Sequence, residues 1–238
     1  MAHLVSFGSI AVAQRAYLAQ LRDPARVLIV GGGAGRFLVD FMKFRHAHGE
    51  RPQVLYLELS VRMLERARGL LQRELPAWAD CVEFRHGSER ELGARDGQFD
   101  ALVTNFFFDL FDEQHAREVA ATLAQALAPT GSWLLVDWTL PAAPLPRLCA
   151  KLLFRGMYGF FRVVSQVGAS APPNYDAVLQ SLGFSLSARE SFYWRMIQAS
   201  LFARRGRPCL LGTDEYAGGT RAGARLRPRG GLVSERDF

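Results

Sequence analysis

The run Val27-Leu-Ile-Val30 stops at Gly31-Gly-Gly33-Ala-Gly35, and Phe37, Leu38, Phe41 and Met42 then recur at helical spacing. Few folds accept this order. A short apolar run without alternation reads as a strand buried on both faces, and a glycine turn leading into a helix makes it the first half of a βα unit. In open α/β sheets the loop after such a strand is where ligands sit, and its glycines let the backbone approach them closely. The next apolar run, Gln53 to Ser60, carries Glu58 near its end. A carboxylate one strand further on is placed to accept hydrogen bonds from two ribose hydroxyls, which separates an adenosine site from a plain phosphate loop.

The rest of the chain repeats the strand and helix alternation. Gly49 is a stop for the first helix, and Ser60 is an N-cap for a second that carries Met63, Leu64, Ala67, Leu70 and Leu71 on one side. Cys81 to His86 reads as a third strand and Phe99 to Thr104 as a fourth. A helix from about Asp112 to Leu127 follows, with Asp112 as its cap and Val119, Leu123 and Leu127 as its core stripe. Pro129-Thr-Gly131 turns the chain into a fifth strand, Ser132 to Trp138. Helix-length connections favour parallel pairing with right-handed crossovers. Phe184 to Ser191 and Arg195 to Ala203 are joined by too few residues for a crossover and predict an antiparallel hairpin at the sheet edge.

Composition excludes several classes. At 238 residues and 49% hydrophobic content the chain can bury one large core. Its three cysteines, Cys81, Cys149 and Cys209, are far apart and form no CxxC or Cys/His cluster, so neither a disulfide framework nor a metal site is expected, and a cytoplasmic, reducing location fits. No segment offers about 18 consecutive apolar residues for a membrane span. Of the net charge of +6, residues 204–238 hold +4, eight Arg against four acids, leaving about +2 for the remainder. Residues 205–238 are therefore read as a Gly/Arg-rich, solvated tail, and no nucleic-acid partner is expected.

In sum these motifs resemble the class I S-adenosylmethionine-dependent methyltransferases, over roughly residues 9–204. Gly31, Gly33 and Gly35 match the family's GxGxG loop, and Leu57-Glu58-Leu59-Ser60 with Met63-Leu64 looks like its strand-two ending. Phe84-Arg-His-Gly87-Ser88-Glu89 resembles the third-strand motif, Phe99-Asp100-Ala-Leu-Val-Thr-Asn105-Phe106 the fourth, and Leu127-Ala-Pro129-Thr-Gly131 through Asp137-Trp138 the fifth. Two positions depart from the pattern: Ile29 and Ser88 stand where the family often has acids. The resemblance implies a doubly wound, mostly parallel seven-stranded sheet with an antiparallel edge hairpin in a domain spanning 1–204. It also implies S-adenosylmethionine as cofactor, held by Gly31, Gly32, Gly33, Gly35, Glu58, Leu59, Met63, Ser88, Glu89, Asn105 and Phe106. An NAD-dependent Rossmann enzyme is the competing reading, but Arg36 occupies the place of the third Gly or Ala of GxGxxG, where helix and strand pack closely. An aminopropyltransferase would end its fourth strand in acids rather than Asn105-Phe-Phe-Phe108, and a non-catalytic cofactor-binding protein stays open.

Methyl transfer from a sulfonium is an in-line displacement, so positioning is the main task and a base is needed only if the acceptor loses a proton. Asp137 and Asp109 are the catalytic candidates, each with the alternative of fixing a loop, and His115 is read as exposed. Aromatic residues at strand ends, with Trp138, Tyr158, Arg162 and Tyr175 as substrate candidates, suit a small or lipophilic acceptor; core packing is the alternative for each ring. An insertion at about 142–170 contains a helix, 145–165, with an apolar side and a basic stripe. It reads as a lid, as a plain packed helix, or as a weak peripheral contact with an anionic membrane.

Overall fold

The structure is a computed structural model that describes residues 10–21, 24–93, 96–141 and 173–204, all within a compact unit spanning Met1–Arg207. The insertion at 142–170 with its helix 145–165, the candidates Tyr158 and Arg162, and the tail 205–238 lie outside the described residues.

Strands β1 (Arg26–Val30), β2 (Gln53–Glu58), β3 (Val82–His86), β4 (Phe99–Asn105), β5 (Leu127–Trp138), β6 (Phe184–Phe192) and β7 (Ile197–Arg204) form one seven-stranded sheet, ordered β3-β2-β1-β4-β5-β7-β6. The first five strands run parallel, and β7 pairs antiparallel with both β5 and β6. The expected edge hairpin is present, with its second strand inserted inside its first. Helices α1 (Arg36–Ala47), α2 (Val61–Glu74), α3 (Glu113–Ala126) and α4 (Tyr175–Ser181) cover the faces.

The continuous apolar strands are explained by two cores. Val27 and Ile29 of β1 and Val54 and Tyr56 of β2 join Phe37, Phe41, Leu64 and Ala67 on one face. Leu28, Val30, Leu55 and Leu57 join Val119, Leu123, Tyr175 and Val178 on the other. Because side chains alternate across a strand, burial of both faces leaves no polar position in the run. The segment ending at Leu21 is fastened to α1 by Arg45, which is 2% exposed and donates to the Leu18 and Leu21 carbonyls at 2.6 and 2.7 Å and to Glu50 at 2.6 Å.

Capping followed the sequence. The Ser60 hydroxyl accepts from Met63 N, and the Asp112 carboxylate accepts from His115 N at 2.8 Å. The fifth strand did not. It begins at Leu127 rather than Ser132, and the Pro129-Thr-Gly131 turn survives only as an irregularity inside it: Leu127 pairs with Phe99 while Ser132 pairs with Ala101. Proline lacks the N–H a regular ladder needs, so the extra residues bulge out and pairing resumes beyond them.

Candidate functional site

The parallel strands all end along one rim of the sheet, and β1 lies between β2 and β4, where the chain's strand order reverses. Such a switch point opens a crevice at the carboxyl ends of the strands. Gly31, Gly33 and Gly35 line it with φ of 63°, 62° and 84°, a left-handed conformation that side chains other than glycine's disfavour. Each neighbouring glycine meets a different wall. A Cβ on Gly31 would come 2.6 Å from the Phe107 ring, one on Gly32 2.5 Å from the Tyr56 ring, and one on Gly35 2.7 Å from Ala67 of α2, whereas Gly33 faces open space. The loop is closed from below and open above.

Hydrogen bonds hold this shape. Gly31 N donates to the Leu57 carbonyl at 2.9 Å, Gly33 N to one carboxylate oxygen of Glu58 at 2.9 Å, and Ser60 N to the other at 2.9 Å. The Tyr56 hydroxyl donates to the Gly33 carbonyl at 2.9 Å. Burial raises the Tyr56 phenol above its ordinary range, so it remains a neutral donor. Glu58 is 9% exposed and keeps unused lone pairs on both oxygens, since a carboxylate offers about four acceptor sites. It organises the loop and can accept from a ligand as well.

The flanking candidates fall around the same rim. Leu59 is 70% exposed beside Glu58, and Met63 is half-buried on the first turn of α2. Ser88 is occupied as a cap: its hydroxyl accepts from Arg90 N, and Glu91 reaches back to Ser88 N at 2.5 Å. Glu89 is buried, with Arg90 at 3.8 Å. Asn105, at the end of β4, is buried with neither its amide nitrogen nor its oxygen partnered among the described residues. A buried amide without partners has a position ready for a polar ligand. Phe106, next in the chain, has φ of 51° and its ring lies 5.5 Å from that of Trp138.

The two catalytic candidates are brought together, inside the protein. Asp137 is 1% exposed and accepts from Phe108 N at 2.9 Å, Phe107 N at 3.3 Å and Trp138 N at 2.9 Å. Asp109, 4% exposed, sits beside it on the turn Phe108–Leu110, one residue after the Phe108 N–H that Asp137 holds. This geometry favours the loop-fixing reading of both. Tyr175 is also packed away, 9% exposed in contact with Phe108, its hydroxyl donating to the Trp138 carbonyl at 3.1 Å. His115 is exposed and stacks on Phe111.

The roles of Tyr56 and Phe107, which back the glycines, were missed from the sequence, whereas Tyr193 and Trp194, read there among the strand-end aromatics suited to a sulfonium or an apolar acceptor, form the turn between β6 and β7. In that turn Tyr193, Trp194 and Arg195 have φ of 47°, 53° and 64°, and Trp194 is 74% exposed with its ring stacked on Tyr193. Since Trp138 pairs with Ile197, the turn stands at the same rim. Bulky residues gave no glycine signal that could have announced a left-handed turn.

The residues present fit an adenosine-type cofactor: an open glycine backbone at Gly33, a carboxylate beside it, and an unpartnered amide at Asn105. A family model described as a methyltransferase domain matches residues 27–131. A search of curated protein sequences returns no match. Solved structures with the same fold include a mitomycin 7-O-methyltransferase, 19% identical with a TM-score of 0.63, aligned over 83% of this chain and 54% of that one. Another is a magnesium protoporphyrin IX methyltransferase from Synechocystis with bound S-adenosylhomocysteine, 15% identical with a TM-score of 0.60, over 84% of each chain. An O-methyltransferase family protein from Burkholderia thailandensis is 19% identical with a TM-score of 0.60, over 84% of this chain and 56% of that one. The chain thus spans about half the length of the first and third of these. The match of residues 27–131 to a methyltransferase domain and the seven-stranded fold shared with these structures make the chain similar to the class I methyltransferases.

Proposed function

We propose that the chain binds S-adenosylmethionine in the crevice above the glycine loop and transfers its methyl group to a small or lipophilic acceptor. The observation that carries this reading is the union of open space at Gly33 with the Glu58 carboxylate bound to that glycine's N–H. Glu58 would accept from the ribose hydroxyls with its remaining lone pairs, Leu59 and Met63 would flank the adenine, and the Asn105 amide would hold the polar end of the methionine part. Ser88 and Glu89 would serve the adenine through the backbone of their capped turn. When bound, the cofactor supplies an activated methyl group on a sulfonium.

The protein's own contribution is then positioning and exclusion of water. Asp137 and Asp109 are buried, 1% and 4% exposed, so neither is placed as a free base at the rim. Phe106, Trp138, Tyr193 and Trp194 supply an aromatic rim for a flat or lipophilic acceptor, and aromatic faces favour a sulfonium as well. Two structural neighbours are named as methyltransferases of mitomycin and of magnesium protoporphyrin IX, which supports an acceptor of this class.

Calorimetric titration with S-adenosylhomocysteine, run beside NADH, tests the reading. Binding of the first alone is expected; binding of NADH alone would overturn it. Turnover in a screen of phenols, quinols and amines then distinguishes an enzyme from a protein that only binds the cofactor.

A further inference from the structure

We propose that Asp109 and Asp137 are a positioning pair that shares one proton and holds the Phe107 ring beneath Gly31, so that the cofactor loop is preorganised only while the pair keeps that proton. This rests on the reading of the glycine loop as the cofactor site.

The geometry runs in three steps. Asp137 gathers the segment after β4 by accepting from Phe107 N and Phe108 N with one oxygen, and it anchors its own strand end through Trp138 N with the other. That segment carries the Phe107 ring, which lies so close to Gly31 that a single added Cβ would sit 2.6 Å from it. Displacing Phe107 therefore removes the floor of the loop. Asp109, on the short turn Phe108–Leu110, brings a second carboxyl against the first, with both groups shut away from water.

Two neighbouring carboxyl groups in a buried site cannot both ionise without strong repulsion, and one proton held between them relieves it. Burial pushes Asp109 up to about 6, against the hydrogen bond to Asp137 that lowers it. Burial and the neighbouring Asp109 raise Asp137 well above its ordinary range, against the three backbone donors. Among the described residues no cation offsets them. Among the described titratable groups of the surrounding elements, Asp112 and His115 at the start of α3 are exposed, and Tyr175 of α4 is engaged with the Trp138 carbonyl. Asp176 is paired with Arg189 of β6, Arg204 of β7 reaches the Ala124 and Leu127 carbonyls, and Glu58 of β2 is held by Gly33 and Ser60. Asp109 Oδ1 itself has no partner among the described residues. Loss of the shared proton would thus leave two adjacent buried charges, whose repulsion would push the turn carrying Asp109 away from Asp137.

The experiment is the pH dependence of S-adenosylhomocysteine affinity in the full chain, from about pH 6 to about pH 9, with Asp109→Asn alongside. Affinity of the native chain should fall by about tenfold per pH unit once the shared proton is lost. In Asp109→Asn, whose amide donates to the Asp137 carboxylate at every pH, the profile should be flat. A residue with a merely structural role would lower affinity equally across the range. As a second measurement in the native chain without ligand, hydrogen-exchange protection of the Phe107 and Phe108 amides, corrected for intrinsic rates, should drop over the same interval. A flat native profile, an Asp109→Asn profile as steep as the native one, or protection unchanged with pH would each overturn the pair. Absence of S-adenosylhomocysteine binding at every pH would instead refute the cofactor reading, while the amide protection would still decide whether the pair acts as described.

Discussion

Glu58 illustrates how one residue serves both loop and ligand. Its carboxylate receives Gly33 N and Ser60 N, so Glu58→Ala removes two charge-assisted bonds from the loop before any ligand is considered. Affinity for S-adenosylhomocysteine should fall by roughly 1–3 kcal/mol, measured by calorimetry. An unchanged affinity would show that the ribose assignment is misplaced. The neighbouring glycines should respond unequally. Both positions carry left-handed φ and lose stability on substitution, but Gly31→Ala also forces a Cβ into the Phe107 ring, whereas at Gly33 the added methyl meets open space, so the further effect there should fall on the ligand. Denaturation midpoints of the two variants, compared with their affinities, separate the cases. Glu58 and the glycines were legible in sequence because their types are unusual at the end of an apolar run. Tyr56 and Phe107 were not, since an aromatic residue in an apolar stretch looks the same whether it backs a ligand loop or fills a core.

At the scale of elements, the turn joining β6 and β7 combines strain with exposure. Three consecutive residues with side chains hold left-handed φ values, an arrangement that costs energy at each and persists where the surroundings or function require it. Trp194→Gly should therefore raise stability by about 1 kcal/mol in thermal or denaturant unfolding while reducing turnover of a lipophilic acceptor. Equal turnover in that variant would remove the turn from the acceptor site. By contrast, the cap at Asp112 is a local device, and Asp112→Ala should lower stability by about 1 kcal/mol with cofactor affinity unchanged. Caps were predictable because side chain and target N–H are neighbours in sequence. The extended start of β5 was not, because Pro129 and Gly131 announce a turn locally while pairing with Phe99 of β4 draws Leu127 into the sheet.

For the whole molecule, the buried carboxyl pair links stability to pH. Both groups are raised above their unfolded values, so the stabilisation they contribute is fully present below the ordinary aspartate range and is lost as pH rises through about 6 for Asp109 and beyond for Asp137. The difference in denaturant midpoint between the native chain and Asp109→Asn isolates this effect from other titrations. It should widen in favour of the variant from about pH 5 to about pH 9. A difference independent of pH would mean that the pair does not bind an extra proton in the folded state.

Periodicity and residue type determined, without any coordinates, the alternation of strands and helices, the parallel pairing, the terminal hairpin and the Gly31 to Glu58 crevice. These are consequences of local stereochemistry: a run buried on both faces must be uniformly apolar, and a connection's length limits how its strands can pair. Tertiary structure alone decided that β7 lies between β5 and β6, that Asp137 is enclosed by three amide donors beside Asp109, and that Phe107 and Tyr56 support the glycines. Each of these joins residues distant in the chain, and no pattern within a single segment records which partner will stand opposite once the sheet has closed.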